Sequence, residues 1–268
     1  MITCDVLGIG PANGGLGNQM FCIATALALA KRNNTSAYFS DLNLNHYRYY
    51  GNTIFHDLNK TGDDNLITEV YREPSYTSTI FNKIPYKDNM RISGHFQSYK
   101  YFNDCRDFII EKFKVPDTID RKIIIDYFPL LKGNCTSIHV RRGDYLKFKG
   151  HYDCLGIDYY EKSLNLINNV GKVFVFSDDI GWCKKNIKFK KYNDLFFVEG
   201  QTDVEDLWLM TKMNNNIIAN STFSWWGAYL NQTKGKTIVR PSKWFGPNRT
   251  KNNKLETKDL FPEKWITI

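Results

Sequence analysis

Residues 172–230, KVFVFSDDIGWCKKNIKFKKYNDLFFVEGQTDVEDLWLMTKMNNNIIANSTFSWWGAYL, decide the fold. Short apolar runs at Lys172–Phe176, Leu195–Val198 and Ile217–Ala219 have the length of buried strands. Helical patterns follow each of them, at Ile180–Ile187, Val204–Met213 and Phe223–Leu230. Strands that alternate with helices in this way predict a parallel, doubly wound α/β sheet. Thr202-Asp203-Val204-Glu205 has the form of a capping box and marks the start of the middle helix. Upstream, Ser137–Val140 reads as a strand and Tyr159–Asn168 as its helix; downstream, Thr237–Val239 reads as a last strand.

The first half of the chain is less regular. Cys4–Ile9 is an apolar run, Pro11–Gly17 a glycine-rich turn, and Met20–Ala30 a helix apolar nearly all round, which predicts burial against a sheet. Ala37–Phe39 and Arg91–Phe96 read as strands, and Asp104–Phe113 as a helix. Residues 41–89 are polar, rich in tyrosine and without a clear period. The expected division is a domain of residues 1–125 and a second of residues 126–268.

Composition narrows the function classes. The 268 residues are 42% hydrophobic and 24% charged, an ordinary globular balance that excludes collagen-like, coiled-coil and wholly disordered chains. Aromatic residues reach 15%, which suits large cores and sugar-binding clefts. The 36 basic and 28 acidic residues leave a net charge of +8, which favours an anionic partner. No long basic block suggests a nucleic-acid arm, so no nucleic-acid partner is expected. The six cysteines are scattered without a CxxC pair and are read as reduced; His151 and Cys154 form a lone HxxC. Neither a secretory signal nor an apolar run of spanning length is apparent, so a cytoplasmic location without a transmembrane segment is expected.

In open α/β sheets, ligands sit beyond the carboxyl ends of the strands. Those ends here are His139-Val140-Arg141-Arg142-Gly143-Asp144-Tyr145, Ser177-Asp178-Asp179, Glu199-Gly200-Gln201, Asn220-Ser221-Thr222-Phe223-Ser224-Trp225-Trp226 and Arg240-Pro241. One rim thus gathers arginines, hydroxyls, carboxylates and a helix N-terminus, as a nucleotide or phosphate site requires. Strand alternation puts His139 and Arg141 on one face and Arg142 on the other. Arg141 is therefore expected to grip phosphate oxygens with its planar fork, and Arg142 to pair with a carboxylate such as Asp144. Ser221 and Thr222 open a helix whose free N–H groups can take an anion, or they act simply as its N-cap. Trp225 and Trp226 are expected in the core. Asp178-Asp179 could suggest a metal, but no Asp-x-Asp occurs in the chain. Gly14-Gly15-Leu16-Gly17-Asn18-Gln19 is neither GxGxxG nor a Walker loop.

Together, Gly14–Phe21, His139–Tyr145, Phe176–Asp179 and Asn220–Trp226 closely resemble the inverting α-1,2-fucosyltransferases, glycosyltransferase family 11, and Ser93–Ser98 and Phe261–Ile266 look similar too. The resemblance runs through the chain in order. It implies a GT-B-like α/β fold, two Rossmann-like halves with mostly parallel sheets around a central cleft. The first half would be the acceptor side and the second the nucleotide-sugar side. It also implies GDP-β-L-fucose as donor, a glycan acceptor, inversion, and no metal or other cofactor. Arg141 would hold the pyrophosphate, with Gly17, His139, Ser177, Asp178, Ser221, Thr222 and Phe223 around the donor and Asn18 near the fucose. Asp144 is the first candidate for the base that takes the acceptor proton, its alternative role being a salt bridge that orients an arginine; His95 is another rim candidate. Competing readings are another acceptor or nucleotide sugar on the same fold, and a non-catalytic sugar- or nucleotide-binding module. Eukaryotic members often carry a membrane anchor, which would make the Golgi lumen the alternative location.

Overall fold

The computed structural model describes residues 1–5, 14–43, 50–74, 79–249 and 257–268. The chain divides into two compact units, Met1–Pro116 with Leu255–Pro262, and Asp117–Lys254 with Glu263–Ile268. In chain order, the first unit contains β1 (Ile2–Cys4), α1 (Leu16–Arg32), β2 (Glu69–Arg72), β3 (Met90–Ser93) and α2 (Arg106–Lys112). The second contains α3 (Asp117–Tyr127), β4 (Cys135–Val140), α4 (Ile157–Asn165), β5 (Lys172–Ser177), α5 (Ile180–Asn186) and β6 (Leu195–Phe197). It continues with α6 (Asp203–Thr211), β7 (Asn215–Ile217), α7 (Thr222–Leu230), β8 (Thr237–Arg240) and β9 (Ile266–Thr267). Among the described residues no helix is long and apolar enough to cross a membrane.

The first unit is built on a parallel three-stranded sheet in the order β1-β3-β2. Helix α1 is buried continuously from Met20 to Ala30, as its all-round apolar sequence requires. The expected strand at Ala37–Phe39 is reduced to a single parallel bridge between Ile2 and Ala37. Strand β2 emerges from the stretch that showed no period: it is an edge strand whose residues alternate between half-buried and exposed. The part of the expected first strand beyond Asp5 lies outside the described residues.

The second unit holds a six-stranded, wholly parallel sheet in the order β6-β5-β4-β7-β8-β9. One face packs Ile138, Val140, Val173, Val175 and Val239 against Tyr160, Leu164, Cys183 and Ile187 of α4, α5 and its C-cap. On the remaining helices, α6 lies against α7 and α3. Trp225 and Trp226 are fully buried, as expected. The capping box is present, Thr202 and Glu205 each accepting the other's backbone N–H.

Strand β7 begins at Asn215, two residues before the expected apolar run. Both asparagines enter the buried strand with partners. Asn215 donates to Thr136 Oγ1 at 3.1 Å, and Asn216 donates to Ser137 Oγ at 2.7 Å and to the Met210 carbonyl at 2.9 Å.

The expected boundary near residue 125 falls inside α3 and is corrected: the division comes before Asp117. The cause is polar. Asp120 accepts from Trp208 Nε1 and from Lys212, both at 2.6 Å, and Lys122 reaches Glu205 at 2.6 Å, so α3 is tied to α6. The chain also returns to the first unit, where Asp259 takes the Phe81 N–H at 2.9 Å and the Lys100 ammonium at 2.5 Å.

Candidate functional site

Arg141 and Arg142 leave the carboxyl end of β4, a strand buried along its whole length. Their side chains part. Arg142 lays its guanidinium 3.6 Å above the Trp182 ring and bonds Asp179 through Nε at 3.2 Å. Asp179 is itself the N-cap of α5, accepting from the Trp182 N–H at 3.2 Å. Arg142 is thus part of the packing of α5. Arg141 is held at both ends of its fork, Nη2 by Asp144 at 2.7 Å and Nη1 by Asp178 at 3.0 Å. Its side chain keeps 30% exposure against 16% for Arg142. Both arginines pair with carboxylates, and not as expected: Asp144 and Asp178 take Arg141, and Arg142 takes Asp179. The reason is local. The chain leaves β4 at Gly143 into a 3-10 turn, Asp144–Leu146, and that turn sets Asp144 beneath Arg141.

Gly143 is required by this arrangement. A Cβ there would lie 2.4 Å from Asp178 Oδ2. Asp178 can then serve both arginines, its Oδ1 accepting the Arg142 N–H at 2.9 Å. Ser177 turns its hydroxyl to the Asp179 N–H at 3.0 Å.

His139 is buried, with its ring 5.3 Å from that of Phe223. Burial and, second, the Arg141 charge hold its pKa down at about 3, so the imidazole is neutral. Its Nδ1 is buried and has no hydrogen-bond partner among the described residues. Ser221 is the N-cap residue of α7, as one of the two expected readings had it, and makes no side-chain capping bond. Thr222 and Phe223 form the first turn of that helix. The turn before α7 is tied to the β4 loop, since Tyr145 Oη donates to the Asn220 carbonyl at 2.6 Å. A half-buried guanidinium and a helix N-terminus are thereby fixed to one framework, and both favour negative charge.

The remaining expected residues belong to the first unit. Gly17 and Asn18 lie in the first turn of α1, where Asn18 Oδ1 accepts from Gln97 Nε2 at 3.1 Å. His95 follows β3, and its N–H donates to Glu73 at 2.9 Å. Two acids with carboxylate oxygens drawn out of solvent, buried Glu73 and half-buried Asp206, were missed from sequence. Glu73 follows β2 in the stretch without a period. Asp206 sits early in α6, its Oδ1 buried and without a hydrogen-bond partner among the described residues; burial first, then Asp203 and Glu205, push its carboxyl up to about 7. Neither has a motif that could have flagged it.

The profile of Glycosyl transferase family 11 matches residues 11–268. The chain belongs to glycosyltransferase family 11. It is 33% identical to an alpha-1,2-colitosyltransferase of Escherichia coli over 95% of this chain and 96% of that protein. It is 27% identical to the galactoside 2-alpha-L-fucosyltransferase SEC1 of Bos taurus, over 96% of this chain and 72% of that one. Among solved structures it is similar to NodZ alpha-1,6-fucosyltransferase co-crystallized with GDP, with TM-score 0.55 and 13% identity over 80% of this chain and 88% of that chain. It is also similar to POFUT1 in complex with GDP, with TM-score 0.52 and 13% identity over 88% and 97%. This family 11 glycosyltransferase therefore has the GT-B-like α/β fold, and its two parallel-sheet units are the Rossmann-like halves.

Proposed function

We propose that this glycosyltransferase moves L-fucose from GDP-β-L-fucose to a glycan hydroxyl, O2 of a terminal galactose, with inversion and without a metal. The observation that carries the reading is Arg141, a half-buried guanidinium at the carboxyl end of β4, held open by Asp144 and Asp178. A planar fork so fixed suits a diphosphate. The acceptor oxygen bonds to the fucose anomeric carbon as the bond to the β-phosphate oxygen breaks; the electron pair passes to the diphosphate, and the acceptor's hydroxyl proton leaves late to water. Arg141 and the N-terminus of α7, with Ser221, Thr222 and Phe223, offset the charge that develops there. His139, Ser177 and Asp178 shape the phosphate side; Gly17 and Asn18 attend the fucose. The second reading, favoured by the colitosyltransferase relative, keeps the same chemistry with colitose, which is L-fucose without its 3-hydroxyl.

Calorimetric titration with GDP in EDTA tests the donor. We expect binding without added metal, and transfer that survives chelation. Binding of UDP but not GDP, or activity restored only by Mn²⁺ or Mg²⁺, overturns the corresponding part of the reading.

Asp144 is already spent on Arg141, which supports an orienting role. Asp144→Asn is then expected to lower GDP affinity and turnover together. A catalytic base would instead keep GDP affinity, lose turnover and change the acidic limb of the pH–rate profile.

A further inference from the structure

Glu73 is a carboxylate only 3% exposed, placed just past the carboxyl end of β2. Its Oε2 accepts two consecutive backbone N–H groups, from His95 at 2.9 Å and Phe96 at 3.0 Å. Its Oε1 accepts from Tyr101 Oη at 3.4 Å, and its own N–H donates to the Ser93 carbonyl at 2.8 Å. Phe96 has φ of 47°, the left-handed region that a phenylalanine adopts only at a cost. Successive N–H groups around such a residue form a concave anion-binding nest. Here the anion is the protein's own side chain.

The turn is over-determined from three sides. A Cβ on Gly94 would stand 2.5 Å from Glu73 Cβ, so only glycine lets the acid approach. The Gly94 carbonyl accepts Cys22 Sγ–H from α1 at 3.2 Å. The Phe96 ring is fully buried, stacked with Tyr71 and edge-on to Tyr101. A buried acid is an expensive choice for a site that only needs filling, since an apolar side chain would pack without loss of hydration. What an apolar side chain cannot do is accept two N–H groups, and those groups belong to the segment that carries His95 and, one residue past the bend, Gln97. Gln97 in turn holds the amide of Asn18 at 3.1 Å.

The geometry points to Glu73 as the positioning residue of the sugar side of this transferase: its carboxylate holds the left-handed turn that presents His95 and Gln97, and through Gln97 the Asn18 amide. The inference rests on the proposed reading, in which Asn18 attends the transferred sugar. Glu73 acts through the backbone and touches no reacting atom.

The test compares Glu73→Ala with Glu73→Gln in the full chain. The glutamine carbonyl can accept both N–H groups, whereas alanine accepts none. GDP affinity is measured by calorimetry, transfer from GDP-fucose to lactose by steady-state kinetics, and amide exchange at His95 and Phe96 by hydrogen–deuterium exchange. For the alanine variant we expect GDP affinity within twofold of wild type, faster exchange at both amides, and kcat at least tenfold lower. The glutamine variant is expected to recover most of the turnover and the protection. If the alanine variant does not fold, Glu73→Asp replaces it; one methylene shorter, it cannot span both N–H groups and should lower kcat where glutamine does not. Unchanged turnover in the alanine or aspartate variant, or a glutamine variant that folds and binds GDP but is no better than alanine, overturns the role of Glu73 alone. Wild-type protein that transfers neither fucose nor colitose overturns the functional reading, and this inference falls with it.

Discussion

Replacing Arg141 with alanine is expected to lower turnover by ~10²–10³, equivalent to ~2.7–4 kcal/mol of barrier, with the fold retained. The reason is position. Arg141 is half exposed, and its two carboxylate partners fix its direction without covering it. Exposed ion pairs of this kind contribute little to stability, so their loss is tolerated. A preorganised cation beside a leaving diphosphate contributes far more, because its charge is already oriented when the bond breaks. Arg142→Ala should behave in the opposite way. It removes the guanidinium from the face of Trp182 and the partner of the α5 cap, and should cost ~1–2 kcal/mol of stability. Its effect on turnover should be smaller than that of Arg141→Ala. Urea denaturation and steady-state kinetics on both variants decide the matter: equal, modest effects on turnover with both proteins folded would remove Arg141 from the diphosphate site.

Asp206 should draw stability down as pH rises from about 4 to 7, against the opposite pull of His139, whose pKa is held low, so its part is read as the difference from a variant that cannot ionise. Burial first, then Asp203 and Glu205, push its carboxyl in the folded protein up to about 7, against 3.8 for an ordinary aspartate. A raised acid binds its proton more tightly in the folded state than in the unfolded one. Unfolding therefore releases a proton across this window, and stability declines until the pH passes the folded value. At 1.36 kcal/mol per pH unit, the full penalty has a ceiling of ~4 kcal/mol. Asp206→Asn cannot ionise. It should match wild type below about pH 4 and gain on it progressively up to about pH 7, with a constant advantage beyond. Parallel pH–stability curves for the two proteins would show that Asp206 does not titrate in this range.

The parallel sheet of the second unit was legible because strands covered on both faces read as continuous apolar runs, as Lys172–Phe176 does. Strand β7 was displaced in the reading because Asn215 and Asn216 look like a loop until their buried partners are known. Helix α3 was missed for another reason: Ile119, Ile123 and Tyr127 are spaced four apart, but Ile124 and Ile125 beside them are exposed and blur the stripe, and Ile123 is the helix's one fully buried residue. Strand β2 is an edge strand with half its surface open, and its alternation is too short to stand out. At the site, Arg141 was legible as the second residue past His139 on a strand that ends at the rim. Its partner was not, because the direction in which the chain turns at Gly143 decides whether Asp144 meets Arg141 or Arg142. Glu73 acts through the N–H groups of residues more than twenty positions away, and no local spacing encodes that.

The return of Leu255–Pro262 to the first unit has a consequence for the order in which the protein can be made. During synthesis the ribosome releases the whole strand–helix series from β4 to β8 before Asp259 appears. Until then Phe81 lacks the acceptor of its N–H, and Ser98 the carbonyl that takes its hydroxyl at 2.7 Å. The amino-terminal unit, first to emerge, thus waits for almost the whole chain before it is finished, while the later-made sheet by then lacks only its short edge strand β9. Nascent chains stalled before residue 255 should carry a protease-resistant second unit and a first unit that is still open to cleavage.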